Sequence, residues 1–146
     1  MPTLGLRFFN LYGPRQNPQS PYSGVITKFI NKLKDNKQPI IFGDGYQTRD
    51  FIFVNDVVRA VVKAMDVVST EGEVVNVCTG IGISINQLAF EIAKLMKKDI
   101  APVYEAKRSY DILHSVGSTE KMHAFSFDVT YELSAGLQET IDFFLN

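Results

Sequence analysis

Short β-forming segments alternate with amphipathic helices along the chain, and this alternation limits the fold more than any other feature. Apolar residues recur at helical spacing in four segments: from Val25 to Leu33, from Val57 to Met65, from Ser84 to Lys98, and from about Leu133 to Leu145. Between them lie strand-like segments at Leu4 to Phe9, Ile40 to Phe42, Phe51 to Val54, Val74 to Val77 and Ala101 to Tyr104. The pattern predicts an α/β fold with some parallel strand pairing.

The helical segments carry recognisable termini. Ser23 is a candidate cap for the first helix, Asn55 and Asp56 suit the start of the second, and Ser84 with Gln87 has the spacing of a capping box. The second helix has a largely β-branched stripe that we expect to face a sheet, formed by Val57, Val58, Val61, Val62 and Met65. The lysines of the helices occupy positions predicted to face solvent.

Composition excludes several classes of function. The 146 residues carry a net charge of −1, which gives no electrostatic case for nucleic acid as a partner. No apolar run reaches the roughly 18 residues that a membrane span needs. The single cysteine, Cys78, excludes an internal disulfide and favours a reducing compartment, and the first residues lack the pattern of a secretory signal, so we expect a mature cytoplasmic chain of one domain.

No complete catalytic constellation is visible in the sequence. No three glycines form a dinucleotide-binding loop, there is no P-loop, and no serine lies in a GxSxG elbow. His114 and His123 are the only histidines, and with one cysteine they show no metal-ligand spacing. We therefore predict no metal site and no catalytic residue.

Arginine is used differently from lysine in this chain. Arg15, Arg49 and Arg108 lie in loops rich in glycine, proline or polar residues. A planar guanidinium in such a loop suits bidentate contact with phosphate or carboxylate. The structural alternative is an ion pair with a nearby acid, Arg49 with Asp50 or Arg108 with Asp111.

The segment Ile40 to Val54, IIFGDGYQTRDFIFV, is the most unusual in the chain. A strand runs into the tight turn Gly43-Asp44-Gly45 and returns through Arg49 into a second strand, which predicts a hairpin. Phe42 precedes the turn, where its ring can lie against a flat ligand. A core position is the commoner fate of phenylalanine, and that alternative stays open.

Several blocks together resemble a known family. RFFNLYGPRQ, SPYSGVITKFI, IFGDGYQTRDFIFVNDVVRA, VVNVCTGIGISINQLA, RSYDILHS and GLQETIDFF follow in the order and spacing of the extended short-chain dehydrogenase/reductases. The likeness is greatest to NAD-dependent nucleotide-sugar epimerases and dehydratases, particularly UDP-glucose 4-epimerase-like enzymes. It implies the C-terminal, substrate-binding part of an extended Rossmann-type enzyme, with residues 1–16 as a late strand and loop of the Rossmann-type sheet and 17–146 as the nucleotide-sugar domain.

The family's reaction machinery is absent from this sequence. Relatives carry a dinucleotide loop and a Tyr-x-x-x-Lys pair, whereas no tyrosine here is followed four residues later by lysine. The resemblance implies NAD for the full-length enzyme, where hydride passes between the sugar C4 and NAD. We expect this chain alone neither to bind NAD nor to catalyse the reaction.

The resemblance also implies a UDP-sugar site. Asn10 would lie beside the sugar diphosphate, the main chain around Val25 and the ring of Phe42 would line the uracil pocket, and the ribose and diphosphate would meet Arg49, Arg108 and Asp111. The chain departs from the family in having Arg108-Ser109-Tyr110-Asp111 for Arg-Pro-Gly-Asp and Cys78 for the usual glycine. His114 is expected to lie on the loop after Asp111 without a catalytic task, and Gly80 and Gly82 to serve turns.

Three interpretations remain open at this point. In the first, the chain is part of an enzyme, either an epimerase or a 4,6-dehydratase or decarboxylase. In the second, it is a stand-alone nucleotide-binding module. In the third, it is a module that self-associates. The last possibility rests on the strand at residues 4–9, whose neighbours in the family are missing here, so that an apolar edge needs protection. We expect a homo-oligomer formed through this edge, with neither nucleic acid nor membrane as a partner.

Overall fold

The computed structural model describes residues 3–20, 24–67 and 71–146 and has an α/β fold, as the alternation predicts. The helices are α1 (Val25–Lys34), α2 (Val54–Met65), α3 (Ile85–Leu95), α4 (Glu120–Ala124) and α5 (Leu133–Leu145). The strands are β1 (Thr3–Phe8), β2 (Asn10–Tyr12), β3 (Ile40–Phe42), β4 (Thr48–Arg49), β5 (Phe51–Phe53), β6 (Glu71–Val77), β7 (Ile83–Ser84), β8 (Val103–Glu105) and β9 (His114–Ser115).

Parallel pairing dominates the strands. β1 pairs with β6, β2 with β5 and β3 with β8, all parallel, while β4 lies between β7 and β9. The hairpin predicted for Ile40 to Val54 is wrong, because β3 takes β8 as its partner instead of returning on itself. The chain after the Gly43-Asp44-Gly45 turn enters a different sheet, which brings Arg49 of β4 beside the strands β7 and β9.

Two apolar clusters hold these layers together. The larger lies among α1, α3 and α5 and includes Phe29, Leu33, Leu88 and Leu137, each at most 2% exposed. The smaller lies between α2, the β1–β6 pair and the α4 region, and its centre contains Val75. Helices packed on parallel strands bury the β-branched residues that the sequence places there.

The inner face predicted for α2 is largely wrong. Val57 and Ala60 are buried, but Val58, Val62 and Met65 are 52%, 55% and 80% exposed. The smaller Ala60 and Ala64 allow α2 to approach the sheet closely, so the helix presents a different stripe from the one that valine spacing alone indicates. An apolar helix face therefore remains open on the described surface.

Helix starts follow the predictions in part. Ser84 is the cap of α3, and its hydroxyl accepts a hydrogen bond from the Gln87 N–H at 3.1 Å, as predicted. The cap of α1 is Gly24; the predicted Ser23 lies outside the described residues. Asp56 does not cap its own helix. It is 2% exposed, and its carboxylate accepts hydrogen bonds from the N–H groups of residues 130 and 131.

Among the residues that the structure describes, no helix is both long and apolar enough to cross a membrane.

Candidate functional site

All six predicted site residues line one cavity of about 700 Å³ between α1, β3 and the segment that follows β8. This volume lies within the range of small-molecule pockets. The structure thus brings together positions that are as much as 101 residues apart in the chain. The lining consists of Asn10, Pro18, Val25, Lys28, Phe29, Asn31, Lys32, Asp35, Lys37, Ile40, Ile41, Phe42, Gln47, Arg49, Ile85, Arg108 and Asp111.

Two hydrogen bonds position the backbone of Phe42 at the edge of this cavity. Its carbonyl accepts a hydrogen bond from the Gln47 side chain at 2.8 Å, and the next amide, of Gly43, donates to Glu105 at 2.9 Å. The ring is half-buried and belongs to neither apolar cluster. Of the two alternatives for Phe42, the structure therefore places the ring at the cavity instead of in the core.

Arg49 forms an ion pair with Asp111 at the base of the cavity. The Arg49 side chain is 16% exposed and the Asp111 side chain 22%, and a second Arg49 nitrogen donates to the Thr48 carbonyl at 2.8 Å. Neither ion pair considered from the sequence forms, because Asp50 points to other partners and Asp111 takes Arg49. The pair fixes a guanidinium, a good partner for phosphate, at a defined place.

Arg108 covers the ring of Phe42. Its guanidinium carbon lies 3.8 Å from the ring centroid, which is the geometry of a cation–π contact. Arg108 itself is exposed, whereas Phe42 is not. The two residues assigned by resemblance to phosphate and to base thus contact each other.

Asn10 and Val25 complete the predicted set. One N–H of the Asn10 side chain donates to the Asp50 carbonyl at 2.9 Å, which orients the amide and leaves its second N–H and its oxygen for other partners. Val25 begins α1, where first-turn backbone N–H groups lack partners within the helix. Both arrangements suit polar contacts to a ligand.

The cavity carries more positive charge than the chain as a whole. Five basic residues and two carboxylates line it, a net charge of +3 in a chain of net charge −1. Lys28 and Lys32 were expected to face solvent only, and their position in the lining of the cavity was missed. Their spacing of one helical turn, directly after the polar loop, is the signal that places both on the same side of α1.

Asp50 organises the backbone next to the site. Its buried carboxylate accepts hydrogen bonds from the N–H of Thr79 at 2.8 Å, the hydroxyl of Thr79 at 2.7 Å, and the N–H groups of Gly80 at 2.9 Å and Gly117 at 3.2 Å. Two segments that are distant in the sequence, at Thr79–Gly80 and at Gly117, therefore meet at the side chain of Asp50, the residue next to Arg49. No feature of the sequence points to this role.

The other residues singled out in the sequence lie elsewhere. Arg15 is not among the residues lining the cavity, and it has a positive φ of 68° in its loop. His114 lies in β9, not in a loop, and its Nδ1 is 3.0 Å from the Thr48 hydroxyl. Burial, and secondarily the charge of Asp50, raises the pKa of the Cys78 thiol to about 11. Within the described part of the chain, no cluster of potential metal ligands occurs.

The family follows from comparison with known proteins. Residues 1–78 match the model of the NAD dependent epimerase/dehydratase family. The chain belongs to this family. Among curated relatives, a putative UDP-glucose 4-epimerase from Methanocaldococcus jannaschii is 34% identical over 97% of this chain, and the match covers 45% of that protein. Other relatives are named as 4,6-dehydratases and a decarboxylase.

Solved structures give the same result for the fold. The UDP-N-acetylglucosamine 4-epimerase from Methanobrevibacter ruminantium, solved with UDP-N-acetylmuramic acid, is 36% identical, with a TM-score of 0.91 over 97% of this chain and 46% of that one. The UDP-glucose 4-epimerase of Thermus thermophilus, solved with NAD, is 26% identical and has a TM-score of 0.87. The match covers 97% of this chain and 46% of that one. The chain spans about half the length of the relatives that it matches. The family model and these relatives confirm the predicted family.

Proposed function

We propose that this chain binds a UDP-sugar in the cavity and forms the nucleotide-anchoring portion of an NAD-dependent nucleotide-sugar epimerase. The observation that carries the proposal is the convergence of Asn10, Val25, Phe42, Arg49, Arg108 and Asp111 on one cavity of net positive charge. A half-buried ring suits a base, and the arginines suit a diphosphate. Asp111, an acceptor when ionised, suits ribose hydroxyls.

In the full enzyme, this part would position the sugar through binding energy from the remote nucleotide. Because the sequence has neither the dinucleotide loop nor the Tyr-x-x-x-Lys pair, this chain alone would bind no NAD and catalyse nothing. Incubation of the pure chain with UDP-glucose and NAD should therefore give no UDP-galactose, and clear turnover would overturn this part of the proposal. The buried free thiol of Cys78 agrees with a reducing, cytoplasmic compartment.

Arg49 provides the test of binding. We expect calorimetry to show micromolar binding of UDP to the wild type and about tenfold weaker binding to Arg49→Ala, since a charge-assisted contact to phosphate is lost. Arg7→Ala is the matched control, because Arg7 is exposed on β1 and contacts Asn76, outside the cavity. Unchanged far-UV circular dichroism establishes that each variant folds. No heat from the wild type at millimolar UDP would refute the proposal.

The alternatives differ from this proposal in measurable ways. A stand-alone nucleotide-binding module would bind UDP equally well with or without a sugar attached, whereas a portion of a sugar-converting enzyme should hold UDP-glucose at least as tightly as UDP. The dehydratase and decarboxylase alternatives are favoured only by the names of relatives. Restoring activity with the dinucleotide-binding half of a relative, and identifying the product, would separate these reactions.

We also propose self-association through the strand predicted at residues 4–9. In the described part of the chain, β1 has β6 as its only strand partner, so the other edge of its residues 4–8 is available for pairing with a second copy. Phe8 on this strand is 44% exposed, and α2, which packs on β1, adds the exposed side chains of Val58 and Val62. An apolar helix face beside an open strand edge is suited to an interface between copies.

Sedimentation velocity tests this interface. We expect the wild type to sediment above the monomer mass at high micromolar concentration, and Phe8→Lys to shift the distribution toward monomer, because a charge on an edge strand opposes pairing. Phe90→Lys is the matched control, since Phe90 is 65% exposed on α3, away from the strand. A monomeric wild type, or an equal effect of both variants, would contradict the proposal.

A further inference from the structure

A second cavity, of about 710 Å³, lies between α3, the loop after β6, the α4 region and residues 128–134. It is about as large as the cavity that contains the six predicted site residues, here called the first cavity, and the two linings have no residue in common. Its volume lies within the range of small-molecule sites. The proposed function leaves the second cavity without a role.

One face of α3 forms a wall of the second cavity. Gln87, Glu91 and Lys94 are spaced four and three residues apart, so they lie on one side of the helix, and all three line the cavity. The opposite side of α3 packs Ala89 and Ile92 into the larger apolar cluster. Core packing therefore fixes the direction of the polar face, and a carboxylate and an ammonium group border the cavity one turn apart.

The deeper part of the second cavity is apolar. Phe51 and Met122 line it and are 6% and 2% exposed, and two further lining residues, Val129 and Leu133, are half-buried. Apolar side chains at the bottom of a concave site favour a ligand that has an apolar body, because that body leaves water on binding.

The charge of the second cavity is opposite to that of the first. Three carboxylates and one lysine line it, a net charge of −2 with His123 neutral, against +3 in the first cavity. Among the described residues, Glu91 and Glu132 take part in no ion pair. Asp128 is exposed, and its contacts with His123 and Lys63 are long, at 3.7 and 3.9 Å. A diphosphate would be repelled here, so the second cavity is not another nucleotide-sugar site.

We propose that the second cavity binds a small organic cation, an ammonium or guanidinium group attached to an apolar body. The apolar body fills the part lined by Phe51 and Met122. The cationic group lies at Glu91, which is half-buried and therefore less screened by water than an exposed carboxylate. In the part of the chain that the structure describes, the carboxylates form no group that could hold a metal ion, and this favours an organic cation over a metal.

Calorimetry with two probes of opposite charge tests the proposal. Phenylbutylamine and phenylbutyrate have similar apolar bodies, and one carries an ammonium group where the other carries a carboxylate. The wild type should bind the amine at least about tenfold tighter than the acid, because only the amine has the charge that the lining attracts. A smaller difference, or no binding of the amine, overturns the proposal. Displacement of the amine by UDP would place it in the first cavity and would also overturn it.

Two substitutions on α3 should change the affinity for the amine in opposite directions. Glu91→Gln should weaken binding about five- to tenfold, because a charge-assisted contact is lost. Lys94→Gln should strengthen binding about twofold, because a like charge at the exposed rim is removed. Glutamine is a good helix former, so both variants should fold, which far-UV circular dichroism checks.

Glu139→Gln is the matched control, because Glu139 is exposed on α5 and does not line the cavity. It removes the same charge as Glu91→Gln and should leave the affinity for the amine unchanged. Equal effects of Glu91→Gln and Glu139→Gln, or effects of the same sign in both α3 variants, contradict binding at this face. These titrations contain no UDP, so their outcome is independent of whether the first cavity binds a nucleotide.

Discussion

Replacing Asp50 with alanine is expected to lower the free energy of unfolding by about 4 kcal/mol, because it removes a buried acceptor shared by several donors. The Asp50 carboxylate is fully buried and accepts three backbone N–H groups and one hydroxyl, from Thr79, Gly80 and Gly117. Without it, those donors lose their shared acceptor, and each one that water does not reach costs roughly 1–3 kcal/mol.

Urea denaturation measures this effect directly. A matched control is Asp35→Ala, since Asp35 is 59% exposed and pairs only with Lys37 at 3.3 Å; we expect it to change the stability by less than about 1 kcal/mol. Asp50→Asn should lie between the two, because one oxygen remains while an NH₂ group faces donors. Equal stability of Asp50→Ala and Asp35→Ala would show that the shared carboxylate is not an organising contact.

The case of Asp50 shows where sequence analysis stops. The sequence offered Asp50 only as a neighbour for Arg49, whereas its actual partners are 29 to 67 residues away. Long-range hydrogen bonds leave no periodic signal, in contrast to the apolar spacing that predicted α5 at Leu133–Leu145 as observed. The same limit explains the two-residue strands β4, β7 and β9, which are too short for an alternation to appear.

The six predicted site residues share one cavity, whereas part of the packing around it differs from the prediction. Loop arginines and family motifs identified residues that do converge on one cavity, since a motif constrains chemistry whatever the path of the chain. The interpretation of α2 failed because spacing shows which residues share a face but not which face meets the sheet. The pairing of Arg49 with Asp111 was missed because it depends on the path of the segment that follows β8, residues 106–113.

Gly117→Ala is the second substitution with a large expected effect, a loss of about 3 kcal/mol in the free energy of unfolding. A Cβ atom at Gly117 would lie 2.5 Å from the Cys78 sulfur, 2.9 Å from the Cys78 Cβ and 2.9 Å from the Phe9 ring. Cys78 is fully buried, so it has no open space to move into. Gly117 also donates its N–H to Asp50, so a shift of the backbone at Gly117 weakens that hydrogen bond as well.

The double variant Gly117→Ala with Cys78→Gly tests whether contact with the Cys78 sulfur causes the loss of stability in Gly117→Ala. Cys78→Gly alone should be destabilising, since it leaves a cavity and adds backbone entropy to the unfolded chain. Combined with Gly117→Ala, it removes two of the three close contacts, so the double variant should be at least about 1 kcal/mol more stable than the sum of the single changes predicts.

Gly5→Ala serves as the control, because a Cβ there meets Val74 at an ordinary 3.4 Å and should cost little. Additive effects of Gly117→Ala and Cys78→Gly would mean that the two positions are independent. Coupling would explain the departure from the family at position 78 in physical terms. The sulfur would then fit at position 78, where the resemblance implies a glycine, because Gly117 leaves the volume that the sulfur occupies.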